Sequence, residues 1–189
     1  MTAAADQPHI GLIVEGQGDA GALPVLLRTH LAISDDYRDI LGKPIPVHGR
    51  EKATRAGGLE GFVATAAARP GCKSLVVVLD GEGDDVALLG PQLLSRASSA
   101  TGLPVHLTLA DQNFESWIFA SAETLELGLT YNASVSGGGA IVSALKPGKY
   151  VKPTHQPRLA ARMDTALARS RSASLEHLLV GFDRLLAGF

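Results

Sequence analysis

Acidic side chains follow three apolar segments of this sequence, at the points where buried strands would end. Glu15 comes directly after the first segment, Asp80 directly after the second, and Glu115 shortly after the third. The carboxyl ends of parallel strands meet at one edge of a sheet, so these acids are expected to lie close together. Further acids in the same regions are Asp19, Glu82, Asp84, Asp85 and Asp111.

Carboxylates crowded at one edge repel one another unless a cation lies between them. A cluster with oxygen ligands and neither histidine nor thiolate suits Mg²⁺ or Mn²⁺, and two such ions can steady the attacking and leaving oxygens of phosphoryl transfer. The alternative is that single acids merely cap helices, and for Glu115 a place in the first turn of a helix explains the residue equally well. We predict a metal site with the ligands Glu15, Asp80, Glu82 and Glu115, of which Glu15, Asp80 and Glu82 are also the candidate catalytic residues.

The C-terminal part of the chain is basic. From residue 146 onward eight Lys and Arg oppose three acids, a net charge of +5, whereas the preceding residues carry −7. Arg158, Arg162 and Arg169 have the spacing of one helical face. The residues predicted to contact nucleic-acid phosphates are Lys149, Lys152, Arg158 and Arg162. The alternative is an ordinary solvated charged surface.

A glycine motif offers a different chemistry. The segment from Gly16 to Gly21 reads G-x-G-x-x-G between an apolar run and a predicted helix, which is the spacing of dinucleotide-binding loops. No acid stands at the end of the second predicted strand, where such folds bind a ribose. Glu15 and Asp19 would also repel a pyrophosphate. A nucleotide-cofactor enzyme therefore remains a third hypothesis.

The elements that must position these residues alternate between strand and helix. Strands are predicted at 9–14, 44–48, 74–79 and 103–109, and helices at 19–32, 57–68, 91–100 and 116–120. This alternation predicts an α/β layered fold with a mainly parallel four-stranded central sheet flanked by helices. Beyond it we expect a flexible loop at 132–139, an irregular segment at 147–157, and helices at 157–168 and 172–186. The prediction is one domain over 1–189, with a core at about 9–125 and a C-terminal helical extension at about 126–189.

Composition excludes several classes of protein. The 189 residues are 46% hydrophobic, enough for a real core and too apolar for a disordered chain. We expect no membrane span, because no apolar run approaches 18 residues. Residues 1–9 have no features of a secretory signal, and the single cysteine allows no internal disulfide, so a cytoplasmic protein is expected. The net charge of −2 argues against a general nucleic-acid coat.

Several blocks of the chain resemble a known family. The run from Ile13 to Asp19 resembles the first motif of Toprim domains, an apolar strand followed by Glu-Gly-x-x-Asp, and Leu79-Asp80-Gly81-Glu82 stands where that family has Asp-x-Asp. Over most of its length the chain more closely resembles the small Toprim-like proteins of the DUF4276 family. The remaining blocks of the resemblance are Ala22–Arg28, Glu115-Ser116-Trp117, Lys149-Tyr150-x-Lys152 with Gln156, and Arg171-Ser172-x-Ser174-x-x-x-Leu178.

The resemblance implies a Toprim-like fold and Mg²⁺-dependent phosphoryl transfer on nucleic acid, DNA or RNA, as in a nuclease. It implies that Glu15 is a general acid or base or a metal ligand, and that Asp80 and Glu82 hold the metal. Glu82 departs from the family pattern, since it is one methylene longer than aspartate. Family relatives also suggest a role in genome defence beside an ATPase partner. The alternative is a non-catalytic Toprim-like subunit or regulator that binds such an ATPase.

Overall fold

The computed structural model describes residues 7–189 and contains one four-stranded sheet. The strands are β1 (His9–Val14), β2 (Ile45–Pro46), β3 (Cys72–Asp80) and β4 (Val105–Ala110). Their spatial order is β2-β1-β3-β4, and every neighbouring pair is parallel. The predicted α/β fold with a four-stranded central sheet is therefore confirmed. Residues 1–6, where no secretory signal is predicted, lie outside the described residues.

Nine helices are present within residues 7–189. They are α1 (Gln17–Ile33), α2 (Arg50–Thr54), α3 (Gly58–Ala67), α4 (Val86–Ser99), α5 (Phe114–Phe119), α6 (Gly137–Ala144), α7 (Lys152–Ala160), α8 (Thr165–Arg171) and α9 (Ala173–Leu186). A 3₁₀ turn lies at Ala122–Thr124. No helix in this part of the chain is long and apolar enough to cross a membrane.

The helices cover both faces of the sheet and make three layers. On β3, Val76 and Val78 pack into a core with α1 and α5 to α9, whereas Val77 and Leu79 pack into a second core with α2, α3 and α4. Alternate residues of a strand point to opposite faces, so a strand buried on both sides must be continuously apolar. The run Ser-Leu-Val-Val-Val-Leu of β3 meets this requirement, and its six residues are all buried.

The strand order places a crevice at the carboxyl edge of the sheet. The chain leaves β1 toward β2 and later crosses back to place β3 on the other side of β1. At such a reversal the following loops part, and open α/β sheets bind their ligands there. Glu15 directly follows β1, and Asp80 is the last residue of β3. The topology thus brings the two strongest candidate residues of the sequence to the same crevice.

Three predicted element boundaries are wrong. The helix expected to open at Pro91 begins at Val86, because the Asp85 side chain accepts hydrogen bonds from the amides of Ala87 and Leu88 and caps it. The flexible loop predicted at 132–139 ends in the first turn of α6, which Ser136 caps through the amide of Gly139. The irregular segment at 147–157 contains most of α7, whose prolines stand at the second and sixth positions.

The single helix predicted at 157–168 is two helices. α7 ends at Ala160, and α8 starts at Thr165 after a cap in which Asp164 accepts from the amide of Leu167 at 2.9 Å. The Asp164 amide in turn donates to the Thr124 hydroxyl at 3.3 Å, which fixes the break against the core. The last predicted helix, at 172–186, corresponds to α9 within one residue.

Candidate active site

Glu15 and Asp80 meet directly at the carboxyl edge of the sheet. One carboxylate oxygen of Glu15, Oε2, accepts a hydrogen bond from the backbone amide of Asp80 at 3.0 Å. The Asp80 side chain is 6% exposed, and its Oδ1 accepts from the amide of Phe114 at the start of α5. The loops after β1, β3 and β4 are therefore joined through these two carboxylates.

Asp19 lies in the first turn of α1 and belongs to the same group. Its Oδ2 accepts from the amide of Gly16 at 2.9 Å, and its Oδ1 accepts from the side-chain amide of Gln156 in α7 at 2.7 Å. Both Asp19 and Gln156 are buried. The Asp19 carboxylate thus caps the N-terminus of α1, and α7 packs against that carboxylate through Gln156.

Glu115 is the most deeply buried acid of the group, at 1% exposure. Its Oε1 accepts from the Tyr150 hydroxyl at 2.9 Å and lies 3.4 Å from the Lys152 ammonium nitrogen. Its other oxygen, Oε2, is buried and has no hydrogen-bond partner among the described residues. A buried carboxylate oxygen without a donor is costly, so this atom is available to a cation or a proton.

The charges of these acids act on one another. Burial and the charges of Asp19, Glu15 and Glu115 raise the pKa of Asp80 to about 8, with Lys152 acting in the opposite direction. Burial also raises the pKa values of Glu15 and Asp19, although hydrogen bonds from the protein partly offset the effect. Burial alone would lower the pKa of Lys152, but Glu115, Asp80 and Asp19 outweigh it and raise the pKa. One ammonium group therefore faces several carboxylates.

Glu82 lies beside this group but points to a different partner. Its Oε2 is 3.2 Å from a guanidinium nitrogen of Arg50, and the same guanidinium contacts Asp84. Its side chain is 56% exposed. The charge of Glu82 nevertheless contributes to the raised pKa of Glu15, so the two carboxylates are within electrostatic reach.

The residues predicted to bind phosphate lie in the segment before α7, on α7 and after its end. Lys152 points at Glu115, while Lys149 and Arg158 are exposed. Arg162 lies after the end of α7 and pairs with Glu126 at 3.6 Å, so its predicted alignment with Arg158 and Arg169 is wrong. The break between α7 and α8 separates these arginines, and Arg169 pairs with Glu176 on α9 instead.

The structure gives the glycine motif a packing role. A Cβ atom at Gly18 would lie 2.0 Å from Oε1 of Gln156, and one at Gly21 would lie 2.6 Å from Cγ of Pro157. Real Cβ atoms do not approach so closely, so both glycines allow α7 to lie directly on α1. The G-x-G-x-x-G spacing thus has an explanation in helix packing that needs no dinucleotide.

The oxygen ligands fit a hard divalent cation in kind but do not enclose one. In residues 7–189 no three His, Cys, Asp or Glu side chains are already arranged to hold one metal ion. Protein donors occupy several carboxylate oxygens, through Gln156 on Asp19, Tyr150 on Glu115 and Arg50 on Glu82. A bound ion would have to replace these donors to use those particular oxygens, whereas Glu115 Oε2 is buried and has no hydrogen-bond partner among the described residues.

Four residues of this region were not among the predicted site residues, namely Asp19, Arg50, Tyr150 and Gln156. Asp19 has a local signal, since an acid three positions after Gly16 caps the helix that begins there. Tyr150 and Gln156 reach the acids only because α7 packs on α1 and α5, and no local pattern encodes this contact. Trp117, two residues after Glu115, is fully buried, and its indole N–H donates to the Ser174 hydroxyl at 2.7 Å.

Comparisons of the chain with protein-family models, with curated protein sequences and with solved structures gave no match.

Proposed function

We propose that this protein is a Toprim-like, Mg²⁺-dependent enzyme that transfers phosphoryl groups on nucleic acid, most simply as a nuclease. The observation that carries the proposal is the contact of Glu15 with Asp80 at the point where the strand order reverses. Buried Asp19 and Glu115 stand beside them with a single lysine, Lys152. Acids gathered in this way raise one another's pKa values, and a divalent cation relieves this repulsion.

Glu15, Asp80 and Glu115 would hold the ion, and Glu82 would join them after leaving Arg50. When bound, the ion would supply a positive charge that polarises a phosphoryl oxygen. Glu15 is half-buried and held by a single backbone amide, so it is the acid best placed to accept or release a proton. Lys152 is half exposed and would orient a phosphate at the rim of the cluster.

Tyr150 serves in this proposal as a hydrogen-bond donor. Its hydroxyl donates to Glu115, and burial together with the Glu115 charge raises its pKa, so the phenol keeps its proton. A nucleophilic tyrosine would need the opposite shift. Hydrolysis by water therefore fits the site better than a covalent tyrosyl–phosphate step.

The proposal is tested by cleavage assays on labelled single- and double-stranded DNA and RNA with Mg²⁺ or Mn²⁺. Wild-type protein should cut at least one substrate, and E15Q and D80N should lose about 100-fold or more, as expected when a general base or a metal ligand is removed. D36N is a matched control, because Asp36 pairs with Arg38 and is not one of the acids of the cluster. Equal cleavage by wild type and E15Q would contradict the assigned role of Glu15.

A second candidate is a non-catalytic subunit that retains the fold and binds a partner ATPase. The observation that favours it is that protein donors already satisfy oxygens of Asp19, Glu82 and Glu115. This candidate predicts no heat of Mn²⁺ binding in calorimetry and a stable complex with an ATPase. Saturable Mn²⁺ binding that E115Q weakens would favour the enzyme instead.

A further inference from the structure

Arg50 lies at the carboxyl edge of the sheet because of an unusual turn. The two residues before it, His48 and Gly49, both have positive φ angles, +60° and +112°. A non-glycine residue in this region is strained, and such strain is concentrated at functional sites. The amide of Gly49 donates to the backbone oxygen of Glu15 at 3.3 Å, so the turn holds Arg50 beside the first acid of the cluster.

The guanidinium of Arg50 pairs with two acids of the loop that follows Asp80. Its side chain is only 13% exposed, and it contacts Glu82 at 3.2 Å as well as Asp84. Its Nε is buried and has no hydrogen-bond partner among the described residues. The side chains of Glu82 and Asp84 are about half exposed, so they can turn away from Arg50 at little cost. The mostly buried side chain of Arg50 keeps its position.

A metal ion at the cluster and Arg50 compete for the same carboxylate. Glu82 lies near enough to Glu15 to raise its pKa, yet it is bound to Arg50. If Glu82 turns to a metal ion, Arg50 keeps Asp84 but loses one of its two partners while it stays mostly buried, and a buried charge with fewer partners is less favourable. A phosphate oxygen is the natural replacement, since guanidinium binds phosphate through two parallel hydrogen bonds.

We propose that Arg50 is a positioning residue that holds Glu82 away from the acid cluster and pairs with a substrate phosphate when Glu82 turns to the metal ion. This inference rests on the proposed function, since it takes the acid cluster to be the metal site. It predicts that removing the ion pair between Arg50 and Glu82 should tighten metal binding.

The first test is calorimetric titration of Mn²⁺ into wild type, R50Q, E82Q and the double variant R50Q/E82Q, without nucleic acid. Loss of a partly exposed ion pair corresponds to about 0.5–1.4 kcal/mol, so R50Q should bind Mn²⁺ about 2- to 10-fold more tightly than wild type. In the E82Q background the R50Q change should have no effect, because the competing carboxylate is absent. R38Q is the matched control, since it removes an arginine–aspartate pair that includes none of the acids of the cluster.

The second test is fluorescence anisotropy with labelled DNA in Ca²⁺ or in EDTA. In the presence of the ion R50Q should bind DNA more weakly than wild type, and the slope of log affinity against log salt should fall by about one phosphate contact. In EDTA the two proteins should bind alike. R50K retains the positive charge but cannot form the two parallel hydrogen bonds to phosphate. Its DNA affinity should lie between those of wild type and R50Q, and it replaces R50Q if that variant does not fold.

The outcomes separate this inference from the proposed function. Mn²⁺ binding by wild type that R50Q or R50K leaves unchanged or weakens contradicts the role of Arg50 alone. An R50Q effect that persists in the E82Q background contradicts it as well, since the effect then does not pass through Glu82. Absence of Mn²⁺ binding by wild type contradicts the proposed function, and the inference with it.

Discussion

Replacing Asp80 with asparagine should stabilise the metal-free protein, and the stabilisation should grow as the pH rises. In the folded chain burial and neighbouring acids raise the pKa of Asp80 from its ordinary 3.8 to about 8. At pH 7 the folded protein therefore keeps a proton that the unfolded chain releases. At 1.36 kcal/mol for each pH unit between 3.8 and 7, this difference costs at most about 4 kcal/mol of folding free energy.

The sign follows from proton binding. Between pH 3.8 and 8 the unfolded chain binds fewer protons than the folded one, so the free energy of unfolding of wild type falls as the pH rises. Asparagine retains an oxygen that can accept from the amide of Phe114 and has no charge to bury. Relaxation of the cluster and water penetration reduce the gain, so we expect D80N to be about 1–3 kcal/mol more stable at pH 8.

The assay is urea denaturation in EDTA at pH 5 and pH 8, followed by circular dichroism. The difference in unfolding free energy between D80N and wild type should be clearly larger at pH 8 than at pH 5. When Mg²⁺ replaces EDTA, the ion should stabilise wild type more than D80N. D36N is the control, because Asp36 pairs with Arg38, which lowers the pKa of Asp36 and gives the opposite sign. A D80N protein no more stable than wild type at pH 8 would refute the electrostatic reasoning about the cluster.

Three further substitutions test the packing and the polar contacts around the site. G18A should destabilise the protein by about 1–3 kcal/mol in urea denaturation, because the added methyl displaces Gln156, whereas G61A on the exposed face of α3 should stabilise it by about 0.5–1 kcal/mol. Burial and the neighbouring His177 lower the pKa of His106 to about 4. Wild type should therefore lose thermal stability as the pH falls from 6.5 to 4, and H106Q should lose less stability over the same range. Y150F should retain cleavage within about 10-fold, and wild type should form no covalent DNA adduct, whereas abolished cleavage by Y150F together with an adduct on wild type would indicate a nucleophilic phenol.

The sequence predicted most of the sheet and part of the site. The apolar run before Asp80 identifies β3 because a strand buried on both faces needs apolar residues at every position. The boundaries near residues 86 and 137 were wrong because Asp85 and Ser136 cap helices earlier than glycine and proline suggest. The boundary near residue 152 was wrong because α7 accommodates two prolines in its first six positions. Local propensity cannot decide such cases, since a capping hydrogen bond and the packing of the following helix outweigh it.

The sequence by itself determined that acids follow successive buried strands, and parallel pairing then brings Glu15 and Asp80 to one edge. It could not determine which other side chains complete the group, because Gln156 of α7 and Tyr150 just before that helix come more than 130 residues after Glu15 in sequence. Only the tertiary structure shows that α7 lies on α1, through Gly18 and Gly21, and carries these donors to Glu115 and Asp19. Likewise, the charge of Arg50 is visible in the sequence, but its pairing with Glu82 depends on the turn at His48 and Gly49. Strand periodicity is a local property of the chain, whereas the partner of a buried charge is chosen by packing between distant segments.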